Sequence, residues 1–312
     1  MNIVVLDRLH FQKPHEQFPW ELLEKLGDVT YFDYTDDREV TDRAKDADII
    51  LTLKNAISAQ IMQTLNCKLL VKIGTGVDRF DLVAAKQQGI TVTNFPGYGS
   101  ELVAQWTMML LLSLASQYLP YQQAAKSGQW LNAQFSYPIY ELAGKTLGLI
   151  GYGEIGKRVA AMAHAFNMQI LVATRYPDTS THVRFVDQQT LLRESDFVSL
   201  HGNLTPNTQG LISSSELNAM KRTAYLLNTA RAGLVDKDAL LDALTNHTIA
   251  GAAFDGYWQE PPNTQDALLA LDNFTVTPHM ACGAFETRHR LLVDIVQRIE
   301  QFIAGEPIHK MT

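Results

Sequence analysis

Cysteine is nearly absent from this chain, with only Cys67 and Cys282 in 312 residues. Two thiols so far apart in sequence exclude a disulfide framework and a cysteine-based metal cluster, and a reducing cytoplasm is the expected setting. Excess positive charge is lacking too. Lys and Arg number 26 against 33 Asp and Glu, a net charge of −7. Without a basic footprint, neither nucleic acid nor an anionic membrane surface is expected as a partner, and an anionic substrate has to be drawn by a local positive site. Long apolar runs are also missing. The richest, Trp106 to Ala115, is too short to span a bilayer and is interrupted by Thr107 and Ser113. The opening MNIVVLDRLH reads as a short strand with charged residues directly behind it, not as a targeting signal.

What remains is ordinary for a globular protein, 46% hydrophobic and 19% charged, and long enough for two domains. Its most informative stretch is GKTLGLIGYGEIGKRVA, from Gly144 to Ala160. A short apolar run ending at Ile150 meets Gly151, Gly153 and Gly156 in the spacing G-x-G-x-x-G, and a helix pattern follows. The first glycine permits the bend, the second lets backbone approach a pyrophosphate, and the third lets helix and strand pack closely. Backbone at Glu154 and Ile155 would then meet the phosphates at the helix N-terminus.

The second apolar strand, Ile170 to Ala173, ends at Thr174-Arg175. An NAD site places a carboxylate near this point to accept the ribose 2′-hydroxyl, whereas arginine suits a 2′-phosphate. The nearest acid, Asp178, lies beyond Pro177. Arg175 therefore leads to an expected preference for NADP(H), with NAD(H) the other option and a solvated surface charge the plain alternative.

Elsewhere short apolar strands alternate with helical stretches, as in parallel sheets covered on both faces. The expectation is an α/β protein of two Rossmann-like, doubly wound domains with a cleft between them: residues 1–98 and 286–312 forming a discontinuous substrate domain, and 99–285 the dinucleotide domain. The segment Ser100 to Gln117 is apolar on nearly every side and is expected to be a helix buried all round. The aromatics between Gln129 and Tyr140 are expected to pack, a subunit contact or a pocket wall being the other options. Groups just past the strand ends in the second half, His201, Asn228 to Arg231, Asp255 and His279, gather on one sheet edge, where open parallel sheets carry their chemistry.

Five segments in order, IGTGVDRFDLVAAKQQGITVTN, LAGKTLGLIGYGEIG, LHGNLTPNTQGLI with LLNTARAGLVD, DGYWQEPP and TPHMACGAFE, resemble the D-isomer-specific 2-hydroxyacid dehydrogenase family. MNIVVLDR, ADIILTLK and NFPGYGSELVAQ look most like its D-glycerate dehydrogenases, also called hydroxypyruvate reductases. The resemblance implies a catalytic set of Arg231, Glu260 and His279: Arg231 holding the substrate carboxylate and polarising the keto oxygen, His279 exchanging a proton with the carbonyl oxygen, Glu260 orienting His279. It places Gly151, Gly153, Glu154, Ile155, Gly156, Thr174, Arg175, His201, Gly202, Thr208, Thr229, Ala230, Asp255 and Cys282 at the cofactor. Lys54, Gly74, Thr75 and Gly76 fall at the substrate. No metal is implied.

The implied activity is hydride transfer between NADP(H) and a small 2-keto acid such as hydroxypyruvate or glyoxylate, in a homodimer. The alternatives are reduction of a larger 2-keto acid, or a nucleotide-sensing binding protein that turns over little. Ala232, Asn203, Thr174-Arg175 and Gln105-Trp106 depart from the family's usual residues.

Overall fold

In a computed structural model, every residue except 14, 180, 181 and 307 is described. The chain divides into two compact units, Met1–Tyr98 with Gly283–Thr312, and Gly99–Cys282. The first holds a five-stranded parallel sheet of β1 (Asn2–Val5), β2 (Asp28–Tyr31), β3 (Ile49–Thr52), β4 (Leu69–Lys72) and β5 (Thr91–Thr93), in the order β2-β1-β3-β4-β5. β3 and β4 are buried on both faces, as the apolar runs Ile49-Ile50-Leu51 and Leu69-Leu70-Val71 require, while the edge strand β2 alternates between exposed and half-buried. Helix Phe285–Ile303 lays Leu291, Leu292, Ile295, Val296 and Ile299 on one side of this sheet, against Ile3, Val5 and Leu51.

The second unit holds seven parallel strands, β6 (Thr146–Ile150), β7 (Gln169–Ala173), β8 (Arg184–Phe185), β9 (Phe197–Leu200), β10 (Tyr225–Asn228), β11 (Gly251–Asp255) and β12 (Phe274–Thr277). Their order is β12-β11-β10-β9-β6-β7-β8, so the direction of winding reverses between β6 and β9. Ligands of open α/β sheets bind beyond the carboxyl ends of the strands at such a reversal. Alternate residues serve opposite faces: Leu147, Leu149, Phe197 and Leu227 enter one core, and Ile150, Val198, Leu200 and Leu226 the other.

Two expectations need correction. Helix Ser100–Ser116 is not buried all round: Glu101, Gln105, Met109, Leu112 and Ser116 form an open stripe at a spacing of three or four residues. Met109 and Leu112 put apolar side chains on that stripe, which is why hydropathy alone read it as core. The helix ends at Gln117, whose φ of 51° turns the chain by 63° into helix Tyr118–Lys126. Nor do all the loop aromatics pack within the chain. Tyr137 meets Tyr121 edge-on, but Trp130 is 67% and Phe135 96% exposed. Among the described residues, no single helix is long and apolar enough to cross a membrane.

Candidate active site

The glycine turn joins β6 to helix Glu154–Ala165, and its three glycines are needed for different reasons. Gly151 has φ +100°, and a Cβ there would lie 2.7 Å from the His201 carbonyl. A Cβ on Gly156 would meet the Gly151 oxygen at 2.7 Å. Gly153 has nothing within 4 Å, so this position stays open to an incoming group. Gly153 is also the N-cap and offers no side chain to the first helical amides of Glu154, Ile155 and Gly156. Open space over uncapped amides fits a pyrophosphate.

At the end of β7 the Thr174 hydroxyl accepts from the Tyr176 amide at 3.3 Å, and Arg175 is exposed. Asp178 pairs with Lys157 Nζ at 2.9 Å, so the one nearby carboxylate is already engaged. Past β9, the His201 amide donates to the Ile150 carbonyl at 2.8 Å, and Nε2 lies 2.9 Å from the buried Ser199 hydroxyl. Desolvation pushes the His201 imidazole down to about 4, so it is neutral at physiological pH. Gly202 beside it has open space on its Cβ side. Thr208 spends its hydroxyl inside its own loop, against the Asn203 carbonyl at 2.6 Å.

The ends of β10, β11 and β12 carry the charged groups. Asn228, 1% exposed, closes the turn after β10 by donating to the Arg231 carbonyl at 2.9 Å and accepting from the Ala230 amide at 3.1 Å. Thr229 is buried in this turn, and Arg231 follows it half-buried, with Nη1 donating to the Ala230 carbonyl at 2.9 Å. After β12, His279 holds φ +57°, a left-handed conformation that a non-glycine residue adopts at a cost. Asp255 holds that turn. Its carboxylate accepts from the Met280 and Ala281 amides, each at 2.8 Å, and from the Thr277 hydroxyl at 2.7 Å.

His279 Nδ1 meets both Glu260 oxygens, at 2.8 and 3.0 Å, and the Tyr257 amide donates to Glu260 Oε1 at 3.1 Å. Gly256, with φ +105°, lies directly against this pair: a Cβ there would be 2.8 Å from Glu260 Oε1 and 3.4 Å from His279 Nδ1. A carboxylate on Nδ1 orients the ring and sets which nitrogen carries the proton. Cys282 is a partly buried free thiol beside Gly99.

Lys54, Gly74, Thr75 and Gly76 belong to the first unit. Gly74 bends at φ +138° after β4. The Thr75 carbonyl accepts from Asn94 Nδ2 at 2.6 Å, and its hydroxyl donates to the Phe95 carbonyl at 3.1 Å, so the loop is fixed from both sides. The Lys54 amide donates to the buried carboxylate of Asp7 at 2.6 Å.

The structure thus brings Arg231, Glu260 and His279 to neighbouring strand ends of one sheet, and the glycine turn, Arg175 and His201 to other strand ends of the same edge. Sequence reasoning placed Asn228 on this edge but passed over Gly256, Thr277 and Ser199. Only Gly256, directly behind Asp255 at a strand end, carried a usable signal, since a glycine there announces a close approach.

Residues 108–281 match the family described as D-isomer specific 2-hydroxyacid dehydrogenase, NAD binding domain. The chain is 40% identical over 276 residues to a glycerate dehydrogenase from Methylorubrum extorquens, covering 86% of this chain and 87% of that one. It is 33% identical over 320 residues to a hydroxypyruvate reductase from Blautia hydrogenotrophica, covering 99% of each. The solved structure of the TT0316 protein from Thermus thermophilus superposes with a TM-score of 0.89 at 33% identity over the full length of both chains.

Proposed function

Since the chain belongs to the D-isomer-specific 2-hydroxyacid dehydrogenase family and contains its nicotinamide-dinucleotide domain, we propose that it reduces a small 2-keto acid, hydroxypyruvate or glyoxylate, with NADPH preferred over NADH. The observation that carries the chemistry is the His279–Glu260 contact, 2.8 Å at Nδ1. A bound nicotinamide would supply the hydride to the keto carbon. As the carbonyl oxygen gains charge, His279 donates the proton on Nε2 to it, and in the reverse direction removes it. Glu260 steadies the imidazolium by charge pairing. Arg231 holds the substrate carboxylate with a permanently charged planar fork. A carboxylate is also the ligand we assign to Lys54 and the amides of Gly74, Thr75 and Gly76.

The cofactor preference rests on Arg175, exposed at the end of β7, and on Asp178, whose charge is already matched by Lys157 at 2.9 Å. A bidentate guanidinium favours a 2′-phosphate over a ribose hydroxyl. We assign Met109 and Leu112 on the open stripe of helix Ser100–Ser116, and the exposed Trp130 and Phe135, to contact with a second copy of the chain, since large apolar side chains left exposed suit a protein contact. A reducing cytoplasm suits the two free thiols.

The test is initial rates of hydroxypyruvate and glyoxylate reduction with NADPH and NADH side by side. Turnover favouring NADPH supports the whole reading. Turnover favouring NADH discards the role of Arg175 alone, and no turnover with either keto acid discards the substrate class.

A further inference from the structure

Helix Ser100–Ser116 packs one side against the core of the second unit, and two consecutive residues on it, Trp106 and Thr107, reach two different strand ends. Trp106 Nε1 donates to the Thr277 hydroxyl at 3.2 Å. An indole can only donate, so Thr277 Oγ1 accepts and turns its own proton to Asp255 Oδ1, 2.7 Å away. Asp255 in turn accepts the Met280 and Ala281 amides, each at 2.8 Å, directly after His279. Donors thus converge on the Asp255 carboxylate from both sides, and it ties the helix to the backbone that keeps His279 in its left-handed conformation.

Thr107 is fully buried and lies 2.8 Å from the Val103 carbonyl and 2.7 Å from the Thr229 hydroxyl. A carbonyl can only accept, so Thr107 donates to Val103 and accepts from Thr229. Thr229 is two residues before Arg231, in the turn that Asn228 closes.

We propose that Trp106 and Thr107 are positioning residues that set the two halves of the active site from one rigid helix: Trp106 acts through Thr277 and Asp255 on His279, and Thr107 acts through Thr229 on Arg231. The inference rests on the catalytic reading of Arg231 and His279. It predicts a division of effects, because His279 works on the reacting oxygen alone, whereas Arg231 also holds the bound carboxylate. Loss of the Trp106 branch lowers kcat, whereas loss of the Thr107 branch raises KM for the keto acid. A small displacement of a catalytic group suffices for changes on the order of 10- to 100-fold.

Steady-state kinetics with hydroxypyruvate on Trp106→Phe, Thr277→Val, Thr277→Ser, Thr107→Val and Thr107→Ser, beside His279→Ala and Arg231→Gln, tests this. Trp106→Phe keeps the ring and drops the donor; Val removes the hydroxyl and Ser restores it. The expected result is about a 10-fold or greater loss of kcat in Trp106→Phe and Thr277→Val, with KM for the nucleotide within about 3-fold. Thr107→Val should instead raise KM for hydroxypyruvate by about 10-fold or more. Each Ser variant should return to near wild type. The inference is overturned if the Val variants match their Ser counterparts, or if both branches change kcat and KM alike, while His279→Ala and Arg231→Gln remain impaired. Full activity in those last two variants would discard the catalytic reading itself, and this inference with it. Where a Val variant folds poorly, the Trp106→Phe result decides its branch, and Thr229→Val against Thr229→Ser decides the other.

Discussion

His201 stores a pH-dependent cost that can be worked out from its surroundings. Its ring sits beside the buried Ser199 hydroxyl, and desolvation holds its pKa at about 4 against 6.5 for an ordinary histidine. A histidine whose pKa is depressed on folding is protonated more readily in the unfolded chain. Folding therefore loses stability as pH falls through 6.5, and the loss is complete below about 4. Between pH 7 and pH 5 the cost comes to about 2 kcal/mol, and below pH 4 to about 3 kcal/mol. The measurement is urea denaturation of wild type and His201→Asn at pH 7 and pH 5. Asn removes the titrating group, and a loss of the Ser199 hydrogen bond lowers stability equally at both pH values. Carboxylates and the other histidines titrate alike in both proteins and cancel in the double difference. Wild type should lose about 2 kcal/mol more than the variant on going to pH 5. Equal losses would show that the His201 site does not exclude the imidazolium, and would end the reading of its ring as neutral at physiological pH.

Four further outcomes are expected. His279→Ala should lower turnover by about 10² to 10⁴ in steady-state reduction, and a variant within a few fold of wild type would remove the proton-transfer role. Gly256→Ala introduces a Cβ 2.8 Å from Glu260 Oε1 at a φ of +105°; it should destabilise by about 1–2 kcal/mol in thermal unfolding and reduce kcat by parting Glu260 from His279. Arg175→Ala should lower kcat/KM with NADPH by about 10-fold or more, from the loss of a charge-assisted contact, and alter kcat/KM with NADH by less than about 3-fold. Met109→Glu with Leu112→Glu should convert a dimer to a monomer in sedimentation velocity; a wild type that sediments as a monomer would refute the assignment of that stripe.

The sheets were the most legible part of the sequence. β6 and β9 fall where their mostly apolar runs stop, because strands buried on both faces keep few polar positions to blur their ends. The edge strand β8 covers only Arg184–Phe185, one residue earlier than its apolar pair Phe185-Val186, and its boundary comes from pairing with β7 instead of composition. Single-turn helices such as Arg8–Phe11 and Ala59–Met62 left no periodic signal, since four residues are too few to show a period of 3.6. The open stripe on helix Ser100–Ser116 was hidden for another reason: Met109 and Leu112 look like core residues whether a face is covered by the same chain or left open.

The candidate site was legible as a set of positions but not as a set of bonds. Asp255 illustrates the difference. Its place at the end of β11 marked it as near the chemistry, yet both carboxylate oxygens point into the His279 turn and serve Met280, Ala281 and Thr277. Sequence spacing gives the strand on which a residue sits; whether its side chain faces a ligand or braces its neighbour depends on a register between strands that the sequence does not spell out. Here Asp255 pairs with Thr277 across β11 and β12, and this places the hydroxyl between the carboxylate and the Trp106 indole. A one-residue slip of β12 would turn Thr277 to the opposite face and leave the His279 turn without its brace. The geometry of this half of the candidate site is therefore fixed as much by strand register as by the identities of Arg231, Glu260 and His279.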